Sequence, residues 1–320
     1  MKHLFYTLAG CLMLWSCTTP KTGESKEKTP VDYTNPYIGN ISHLLVPTYP
    51  TVHLPNSMMR VYPERENYTS NTISGLPLIV TSHRGSSAFN LSPYQGDLDK
   101  AKSVINYGYD NENVRPYSYS VDLDDYDIHA DYAPSHQSGI YRLTFNDTGK
   151  TPYLIFNTRD GGLKTDGKSV SGYQKLGNGT QVYIYLETDK KPVKVGTHKG
   201  KAIDTSSLST DGKNAYYILE YPQGTTSISL RYGVSFISEE QAMNNLRREI
   251  TGYDVETIAK MGRKIWNETL GKIETTGGTE DERTIFYTSL YRTYERMICI
   301  SEDGKYFSAY DGKIHDDEGT

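Results

Sequence analysis

Histidine and arginine side chains, which transfer protons and bind hydroxyl groups or anions, concentrate near the start of the chain. The segment from Val31 to Asp97 contains His43, His53, His83, Arg60, Arg65 and Arg84. It is rich in Pro, Gly, Asn, Ser and Tyr, and its apolar residues keep no helical period, so the pattern predicts mostly loop. Long loops in compact domains commonly bind a ligand. We therefore expect the functional surface here.

The three histidines have two interpretations. They could form a metal or catalytic cluster, but they lack the short spacing of zinc motifs. Separate loop histidines with ordinary hydrogen bonds are the favoured interpretation. Acidic residues further along the chain look like calcium ligands at first sight: Asp122, Asp124, Asp125, Asp127 and Asp131. An EF-hand needs Gly at its sixth position and a bidentate carboxylate at its twelfth, where this chain has Asp127 and Ala133. The sequence assigns no metal ligand.

Motifs for other chemistries are missing from the sequence. It has no GxxxxGK followed by Ser or Thr, no GxGxxG between a strand and a helix, no GxSxG and no HExxH. Phosphoryl transfer and cofactor-dependent redox chemistry are therefore disfavoured. The formal net charge of -5 and a pI near 5.9 argue against a nucleic-acid partner.

Tyrosine is unusually abundant, with 28 Tyr against 7 Phe and 2 Trp. A tyrosine offers both a stacking face and a hydroxyl group, so it suits wet ligand sites such as those for sugars. It is also a good strand former. Both interpretations stay open at this point.

The N-terminus carries the pattern of an export signal. Lys2 precedes a short apolar region from Leu4 to Trp15, and Leu14-Trp15-Ser16-Cys17 resembles the lipobox of bacterial lipoproteins. Residues 1–17 are the predicted signal peptide, Cys17 the predicted lipidated residue, and residues 18–30 a flexible tether. We expect an exported lipoprotein, periplasmic or in the outer membrane with the cell surface included, whose anchor makes the membrane a partner. The alternative is an ordinary secretory signal in which Cys17 is incidental.

The pattern of residues 31–237 predicts an antiparallel β-sandwich. Apolar residues alternate from Tyr117 to Leu123 and again from Tyr126 to Tyr132, which predicts a hairpin turning at Asp124-Asp125 with Leu123 opposite Tyr126. Further predicted strands are 141–145, 153–157, 181–187, 215–221 and 226–232. Predicted turns between strands are Asp160-Gly161-Gly162, Gly177-Asn178-Gly179 and Asp211-Gly212.

The period changes to helical at Ser238. Ser238 to Gln241 and Thr279 to Glu282 are predicted capping boxes, and another helix is predicted from about Asp254. The predicted apolar faces are Ala242, Met243, Leu246 and Ile250; then Ile258, Met261, Ile265, Leu270 and Ile273; then Ile285, Phe286, Leu290, Tyr294 and Met297. Residues 238–275 are a predicted helical linker, and residues 276–320 begin a further domain.

Two more expectations concern the C-terminal part. Cys299 lies in the apolar run from Met297 to Ile300, which predicts a buried, inert thiol. Residues 301–320 are polar and rich in turns, which suits either a natural tail or a truncated domain. The truncated domain is the favoured interpretation, since three apolar helix faces need packing partners.

Several blocks, in this order, resemble glycoside hydrolase family 92. They are DYTNPYIGN, SYSVDLDDYDIHADYAPSHQSGIYRLTF, SGYQKLGNGTQVYIYLETDKKP, RYGVSFISEEQAMNNLRREITGYDVETIAKMGRKIWNETLGKIE, GGTEDERTIFYTSLYRTYER and YDGKIH. The resemblance implies a mainly β fold: an antiparallel β-sandwich of the galactose-mutarotase-like (supersandwich) type, then a helical linker and the start of an (α/α)6 barrel. It also implies a calcium-dependent, inverting exo-α-mannosidase whose partners are mannose-containing glycans such as N-glycans or mannan.

The family resemblance places the catalytic acid, the base and the calcium ligands in the barrel, so we assign no catalytic residue in this chain. Glu280, Asp281, Glu282, Glu295 and Asp311 are interpreted as solvated helix ends and turns. The family's pocket forms between the two domains, and the sandwich contributes one wall. The candidate substrate-binding residues are Asn35, His43, Asn56, His83, Arg84 and Asp97, with Tyr37 or Tyr94 for stacking.

Three functional hypotheses follow. In the first, the chain is the N-terminal part of an α-mannosidase and is inactive by itself. In the second, it is a non-catalytic carbohydrate-binding lipoprotein, and in the third a structural remnant. One departure from the family bears on the sugar: many members have an HLSG-like core where this chain reads ISGLPLIVTSHRGSSAFNLSPYQGD, so that only Ser82-His83 corresponds. The linkage and the sugar therefore stay open.

Overall fold

Antiparallel strands make up most of the protein, and helices follow them. The computed structural model describes residues 27–41, 47–67, 69–81, 87–199 and 202–319. In chain order the strands are β1 (Val52–His53), β2 (Arg60–Val61), β3 (Thr72–Ser74), β4 (Leu76–Val80), β5 (Ser87–Gln95), β6 (Asn106–Arg115), β7 (Ser118–Leu123), β8 (Ile128–Pro134), β9 (Ser138–Phe145), β10 (Pro152–Thr165), β11 (Ser169–Gly177), β12 (Thr180–Thr188), β13 (Lys194–Lys199), β14 (Ala202–Asp204), β15 (Ser209–Glu220), β16 (Ser227–Ser235), β17 (Lys305–Ser308) and β18 (Lys313–Asp316). The α-helices are α1 (Glu239–Glu249), α2 (Val255–Leu270) and α3 (Glu280–Thr293).

The long strand β10 joins the two layers of the sandwich. Along one edge it pairs with β15 from Tyr153 to Lys164. Along the other edge its first half pairs with β5 and its second half with β11. One layer therefore runs β4-β5-β10-β15-β13-β14, and the other runs β11-β12-β16-β9-β8-β7-β6-β3. The mainly β, antiparallel fold predicted from the sequence is confirmed.

The change of layer within β10 depends on glycine. The sequence Asp160-Gly161-Gly162, predicted as a turn, lies inside this strand. A Cβ at Gly161 would lie 1.9 Å from the carbonyl oxygen of Tyr173, and one at Gly172 would lie 2.1 Å from the carbonyl oxygen of Gly162. The turn prediction is wrong because these glycines allow β10 and β11 to approach closely.

The other two predicted turns have different outcomes. Asp211-Gly212 lies inside β15, so that prediction is wrong as well. Gly177-Asn178-Gly179 does connect β11 with β12, as predicted. Asn178 and Gly179 adopt positive φ angles of 51° and 76° there, which Asn and Gly tolerate.

The opening segment is more regular than its composition predicts. Residues 31–97 were predicted to be mostly loop, yet they include β1 to β5. Every residue of β4 and β5 is buried. A strand buried on both faces shows no apolar–polar alternation, and Pro77 and Pro93 interrupt the β pattern further. This explains why the sequence did not predict them.

Buried tyrosines connect the two layers. The hydroxyl of Tyr141 donates to the carbonyl of Pro77 at 2.7 Å, and that of Tyr107 donates to the carbonyl of Pro93 at 2.7 Å. Tyr232 donates likewise to the carbonyl of Leu78 at 2.7 Å. The fully buried tyrosines are Tyr107, Tyr132, Tyr141, Tyr217, Tyr221, Tyr232 and Tyr291. Much of the tyrosine content therefore fills the interior while satisfying backbone acceptors.

The predicted β7–β8 hairpin is present, but its register differs. Leu123 pairs with Ile128, since the connection spans Asp124 to Asp127 and ends with Asp127 at a φ of 50°. Leu123 does not lie opposite Tyr126. Most of the predicted face is buried and consists of Tyr119, Val121, Leu123, Ile128, Ala130 and Tyr132, whereas Tyr117 and Tyr126 are half-buried.

The three predicted helices form and begin where the sequence places them. Ser238 accepts from the N–H of Gln241, but the predicted capping box is only half formed, because the N–H of Ser238 donates to Ser235 and the Gln241 amide donates to Asn245 and Asp303. Asp254 caps α2, and Thr279 forms the predicted reciprocal capping box with Glu282. In the described part of the chain, no helix is long and apolar enough to span a bilayer.

The first predicted helix face buries Ala242, Leu246 and Ile250 as expected, whereas the faces of α2 and α3 differ in part from the prediction. The helix α2 buries Trp266, which the predicted face omitted, while Met261 is 53% exposed. In α3 the aromatic rings of Tyr287 and Tyr291 are buried, and Ile285 is 58% exposed. Ile273 and Met297 lie beyond the ends of their helices. Tyrosine and tryptophan occupy the interface in place of the aliphatic residues because their polar atoms find backbone acceptors there.

A chain of charges joins β7, β8 and β9 to α2. His129 lies between Asp122, at 2.5 Å from Nδ1, and Asp131, at 3.2 Å from Nε2. Asp131 also accepts from Arg142, which pairs with Glu256 of α2. Burial lowers the pKa of His129, but the bond with Asp122 and the charge of Asp131 outweigh it and raise the pKa above its ordinary value of 6.5.

The raised pKa of His129 predicts a pH-dependent contribution to stability. Its contribution is complete below the unfolded-state pKa near 6.5 and is lost as pH rises through the higher folded-state pKa. Urea unfolding should show His129→Gln less stable than the parent by about 0.5–1 kcal/mol at pH 5.5, a value reduced for solvent screening. The difference should shrink towards pH 9. A difference that grows with pH would contradict this sign.

Close packing of α1 on β16 predicts a steric effect at Gly233. A Cβ on Gly233 would lie 2.1 Å from the carbonyl oxygen of Ala242, so Gly233→Ala must displace α1. Overpacking of this kind lowers the free energy of unfolding by about 1–3 kcal/mol. Gly252→Ala is the matched control, because no atom lies within 4 Å of its added Cβ. Equal urea midpoints for the two variants would contradict the close packing of α1 against β16 at Gly233.

Candidate functional site

A polar cleft lies where the sandwich meets the segment after α3. One cavity of about 300 Å³ is lined by Asn56, Ser57, Met58, His136, Gln137, Arg248, Glu249, Cys299, Ser301 and Asp303. A second cavity of about 750 Å³ is lined by residues 298–301, Tyr306, His315 and residues 316–318. The two share Cys299 and Ser301, and we call them together the junction cleft. Its lining combines amides, carboxylates, a guanidinium group and aromatic rings, which suits a ligand rich in hydroxyl groups.

Glu302 holds one wall of the junction cleft in place. It is 1% exposed, and its carboxylate accepts from the N–H of Phe236 at 2.9 Å and from Nδ2 of Asn245 at 2.7 Å. Burial raises the pKa of Glu302, although the hydrogen bonds oppose this. The carboxylate therefore attaches residues 298–303 to the end of β16 and to α1.

Gln137 and Arg248 complete the same wall. Nε2 of Gln137 donates to the carbonyl of Ser301 at 2.7 Å, and its backbone N–H donates to Glu249 at 2.8 Å. Arg248 donates to the side chains of Gln137 and Asp303. The β8–β9 turn, α1 and the segment after α3 therefore meet at one polar network.

Asn56 attaches the opposite wall. Its Nδ2 donates to the carbonyl of Met297 at 2.8 Å, its N–H donates to that of Tyr294 at 2.9 Å, and its carbonyl accepts from Cys299 at 2.9 Å. Its φ of 54° is a left-handed conformation that asparagine tolerates. The loop between β1 and β2 is thus fixed along the chain that leaves α3.

A buried ion pair lies close to this loop in the sequence. Nη1 of Arg60 is 3.0 Å from Oε1 of Glu295, with side-chain exposures of 3% and 11%. Thr51 donates to the same oxygen at 3.3 Å, and Arg292 is 3.8 Å from the other oxygen. Glu295 is therefore a structural partner of β2, and its interpretation as a solvated end of α3 is wrong. The sequence carried no local signal for this pairing, because 235 positions separate the two residues.

His53 is buried beside this ion pair. Its ring stacks on Tyr291 at 4.8 Å between centroids, and Nδ1 is 3.0 Å from the carbonyl of Leu54. Burial lowers its pKa to about 4, so the ring is neutral at physiological pH. This matches the interpretation of a histidine with an ordinary hydrogen bond.

The structure does not bring the predicted sugar-binding residues that it describes into one site. Asn56 lines the junction cleft, and the N–H of Asn35 donates to Thr288 of α3 at 3.0 Å. Asp97 lies beside another cavity, lined by residues 96–99, Thr151 and Tyr153, and it pairs with Lys100. His43, His83, Arg84 and the predicted lipidation site Cys17 lie outside the described residues.

The two predicted stacking residues differ in exposure, and the thiol of Cys299 differs from its prediction. Tyr94 is 3% exposed and packs against Tyr126 and Tyr153, so its ring is not available to a ligand. Tyr37 is 39% exposed. The thiol of Cys299 is exposed, so the prediction of a buried cysteine is wrong: the run from Met297 to Ile300 borders the cleft and not the core.

The remaining acidic residues behave largely as predicted. Glu280, Asp281 and Glu282 lie in the first turn of α3, where their negative charges interact favourably with the positive end of the helix dipole. Asp311 is 2.9 Å from His315, next to the β17–β18 hairpin. Asp125 accepts from the N–H of Gly108 at 2.7 Å. Within the described ranges, no group of three or more His, Cys, Asp or Glu is arranged to hold a metal ion.

Comparison with known proteins places this geometry in a family. The sequence model of the glycosyl hydrolase family 92 N-terminal domain matches residues 33–235, and that of the family's catalytic domain matches residues 241–320. The chain belongs to glycosyl hydrolase family 92. The two matched regions meet between the end of β16 and the start of α1, which are the elements that Glu302 joins.

Two solved structures of family 92 have a fold similar to that of this chain. An inverting mannosidase of family 92 from Bacteroides thetaiotaomicron has a TM-score of 0.80 at 24% identity, covering 90% of this chain and 43% of that one. An α-mannosidase of family 92 from the same species, solved with mannoimidazole, has a TM-score of 0.80 at 20% identity, covering 91% and 43%.

A curated relative also matches by sequence. An uncharacterized secreted glycosidase of Arthroderma benhamiae is 25% identical over 301 residues, covering 77% of this chain and 39% of that protein. The family 92 chain described here therefore spans less than half the length of these relatives.

The buried Arg60–Glu295 pair predicts a large cost for Arg60→Met. This change leaves the buried Glu295 carboxylate with the hydroxyl of Thr51 and the more distant Arg292, and losing one partner of a buried pair costs about 3 kcal/mol. Urea unfolding measures it. Lys264→Met, which breaks an exposed pair with Glu268, is the matched control and should leave the urea midpoint unchanged. Similar midpoints for both variants would show that the Arg60 pair contributes little.

Proposed function

We propose that this chain is the N-terminal sandwich and the first part of the catalytic domain of an exo-α-mannosidase, with the junction cleft as its sugar-binding region. The observation that carries the proposal is the pair of family 92 matches in order along the chain, which meet beside the cleft. The substrates would be mannose-containing glycans, such as N-glycans or mannan. Two structural relatives are mannosidases, which supports that choice.

The cleft supplies groups that recognise sugar hydroxyls. Arg248 is a donor, Glu249 and Asp303 are acceptors, and Tyr306 offers a ring for stacking. Such side chains bind and orient a pyranose ring without reacting with it. The contribution proposed for this chain is therefore sugar positioning.

Two buried carboxylates near the cleft, Glu302 and Glu295, are committed to internal partners, whereas the cleft itself is lined by Glu249, Asp303, Asp316, Asp317 and Glu318. Glu302 accepts from Phe236 and Asn245, and Glu295 pairs with Arg60. An inverting glycosidase needs one carboxylic acid to protonate the leaving oxygen and a second carboxylate to activate water on the opposite face of the sugar. We assign neither role to a residue of this chain, and we propose that the chain alone does not hydrolyse mannosides.

Calcium and export are further parts of the proposal. Calcium dependence is proposed from the family resemblance alone. The described residues provide no metal-binding cluster, so we assign the ion no ligand among them. Export as a lipoprotein through Cys17 comes from the lipobox-like sequence. The secreted glycosidase among the relatives supports export.

Calorimetric titration with methyl α-mannoside tests the assignment of the cleft. His136 is exposed and lines the cleft, so His136→Ala should weaken binding at least threefold. The matched control is Asn244→Ala, an exposed change on α1 outside the cleft lining. Equal affinities for both variants would place the sugar elsewhere.

Mannose release from α-linked mannobioses, measured with calcium and with a chelator, tests whether the chain alone hydrolyses mannosides. We expect no release by this chain under either condition. Calcium-dependent release would show that the chain carries its own acid and base. The alternative of a carbohydrate-binding lipoprotein also predicts no release, and calorimetry that shows no oligosaccharide binding would remove it.

A further inference from the structure

Tyrosines also occupy a solvent-facing surface of the sandwich, outside the junction cleft. Asp211 of β15, Gly162 of β10, Tyr173 of β11 and Tyr183 of β12 are successive register partners across four strands. Register partners project from the same face of a sheet. Because Asp211 is exposed and both tyrosines are half-buried, this face is open to solvent. We call these four residues the tyrosine platform.

The ring of Tyr173 lies across the sheet. Its hydroxyl donates to Oδ2 of Asp211 at 2.7 Å, although β11 and β15 are two strand spacings apart, about 9.6 Å. A Cβ on Gly162 would lie 2.9 Å from Cε1 of Tyr173 and 2.7 Å from Oδ2 of Asp211. Glycine at this position therefore allows the ring to lie over β10 with one face towards solvent.

Hydrogen-bonding groups border the ring. Tyr183 donates to Oε1 of Gln181 at 3.0 Å, and Lys175 is 3.6 Å from Asp160 next to the platform. The charges are mixed, so the surface lacks the excess of positive charge that an anionic ligand needs. An exposed aromatic face surrounded by amide and carboxylate groups suits stacking against a sugar ring and bonding to its hydroxyls.

The position of α1 relates the platform to the cleft. Lys164, on the same face of β10 as Gly162, pairs with Glu239 in the first turn of α1 at 3.0 Å. Arg248 and Glu249, at the other end of α1, line the junction cleft. The helix has 11 residues and is therefore about 16 Å long. The platform and the cleft therefore lie towards opposite ends of α1.

We propose that the tyrosine platform is a second carbohydrate-binding surface, which takes a stretch of an extended neutral glycan. The choice of glycan rests on the proposed function, since a mannosidase would take a mannan. The platform would retain a polymer near the cleft while the cleft receives one terminal sugar.

Affinity electrophoresis of the full chain in gels containing yeast mannan tests the platform. Tyr173→Ala should reduce retardation at least fivefold, whereas Tyr173→Phe, which keeps the ring, should stay within twofold of the parent. Tyr310→Ala removes a fully exposed tyrosine elsewhere and should change nothing. Affinity for methyl α-mannoside should stay unchanged in Tyr173→Ala, as the cleft is intact.

The outcomes separate the two proposals. Equal retardation of Tyr173→Ala and the parent would overturn the platform and leave the tyrosine as a cross-strand pair that stabilises the sheet only. The absence of any retardation of the parent would overturn it as well. If a β-glucan gel retards the parent through Tyr173 and a mannan gel does not, the platform is supported and the mannosidase assignment fails.

Discussion

The contact on which the junction depends is the burial of Trp266 between the sandwich and α3. Its Nε1 donates to the carbonyl of His53 in β1 at 2.8 Å, and its ring is 5.1 Å from that of Tyr291 in α3. The side chain is fully buried. One residue of α2 thereby joins the first strand to the last helix. Truncating a large buried aromatic side chain to alanine lowers the free energy of unfolding by about 3–5 kcal/mol.

The polar contacts of the junction follow from this packing. Once α3 is fixed against β1, Glu295 at its C-terminal end reaches Arg60, and Asn56 can bond to the carbonyl groups of Tyr294 and Met297. Glu302 then attaches the following segment to β16 and α1. The walls of the cleft are thus built from residues far apart in sequence, which explains how a site can lie at a boundary between two matched regions of family 92.

Local signals in the sequence predicted local structure well. The capping residues Ser238, Asp254 and Thr279 and the turn at Gly177-Asn178-Gly179 depend on neighbouring residues only, and all of them are present. Features decided by tertiary packing were missed. Strands β4 and β5 are buried on both faces and show no alternation, the glycines of β10 permit close strands instead of a turn, and α3 buries Tyr287 and Tyr291 in place of Ile285.

The candidate site was predicted only in outline. Its location between two domains came from the family resemblance. Asn56, one of the predicted substrate-binding residues, lines the cleft, and its role in binding stays a prediction. Gln137, Arg248 and Glu302 were missed because their role depends on contacts across more than 50 positions of sequence. Asp97 was named because it ends a polar segment, but the structure places it beside a different cavity.

Unfolding followed by the fluorescence of Trp266 tests most directly whether the sandwich and the helices form one cooperative unit. The other tryptophan is Trp15, so in a Trp15→Phe variant the signal reports Trp266 alone. If Trp266 joins the helices to the sandwich, urea transitions followed by fluorescence and by far-UV circular dichroism should coincide. A fluorescence transition complete at lower urea, with the β signal still intact, would contradict the account.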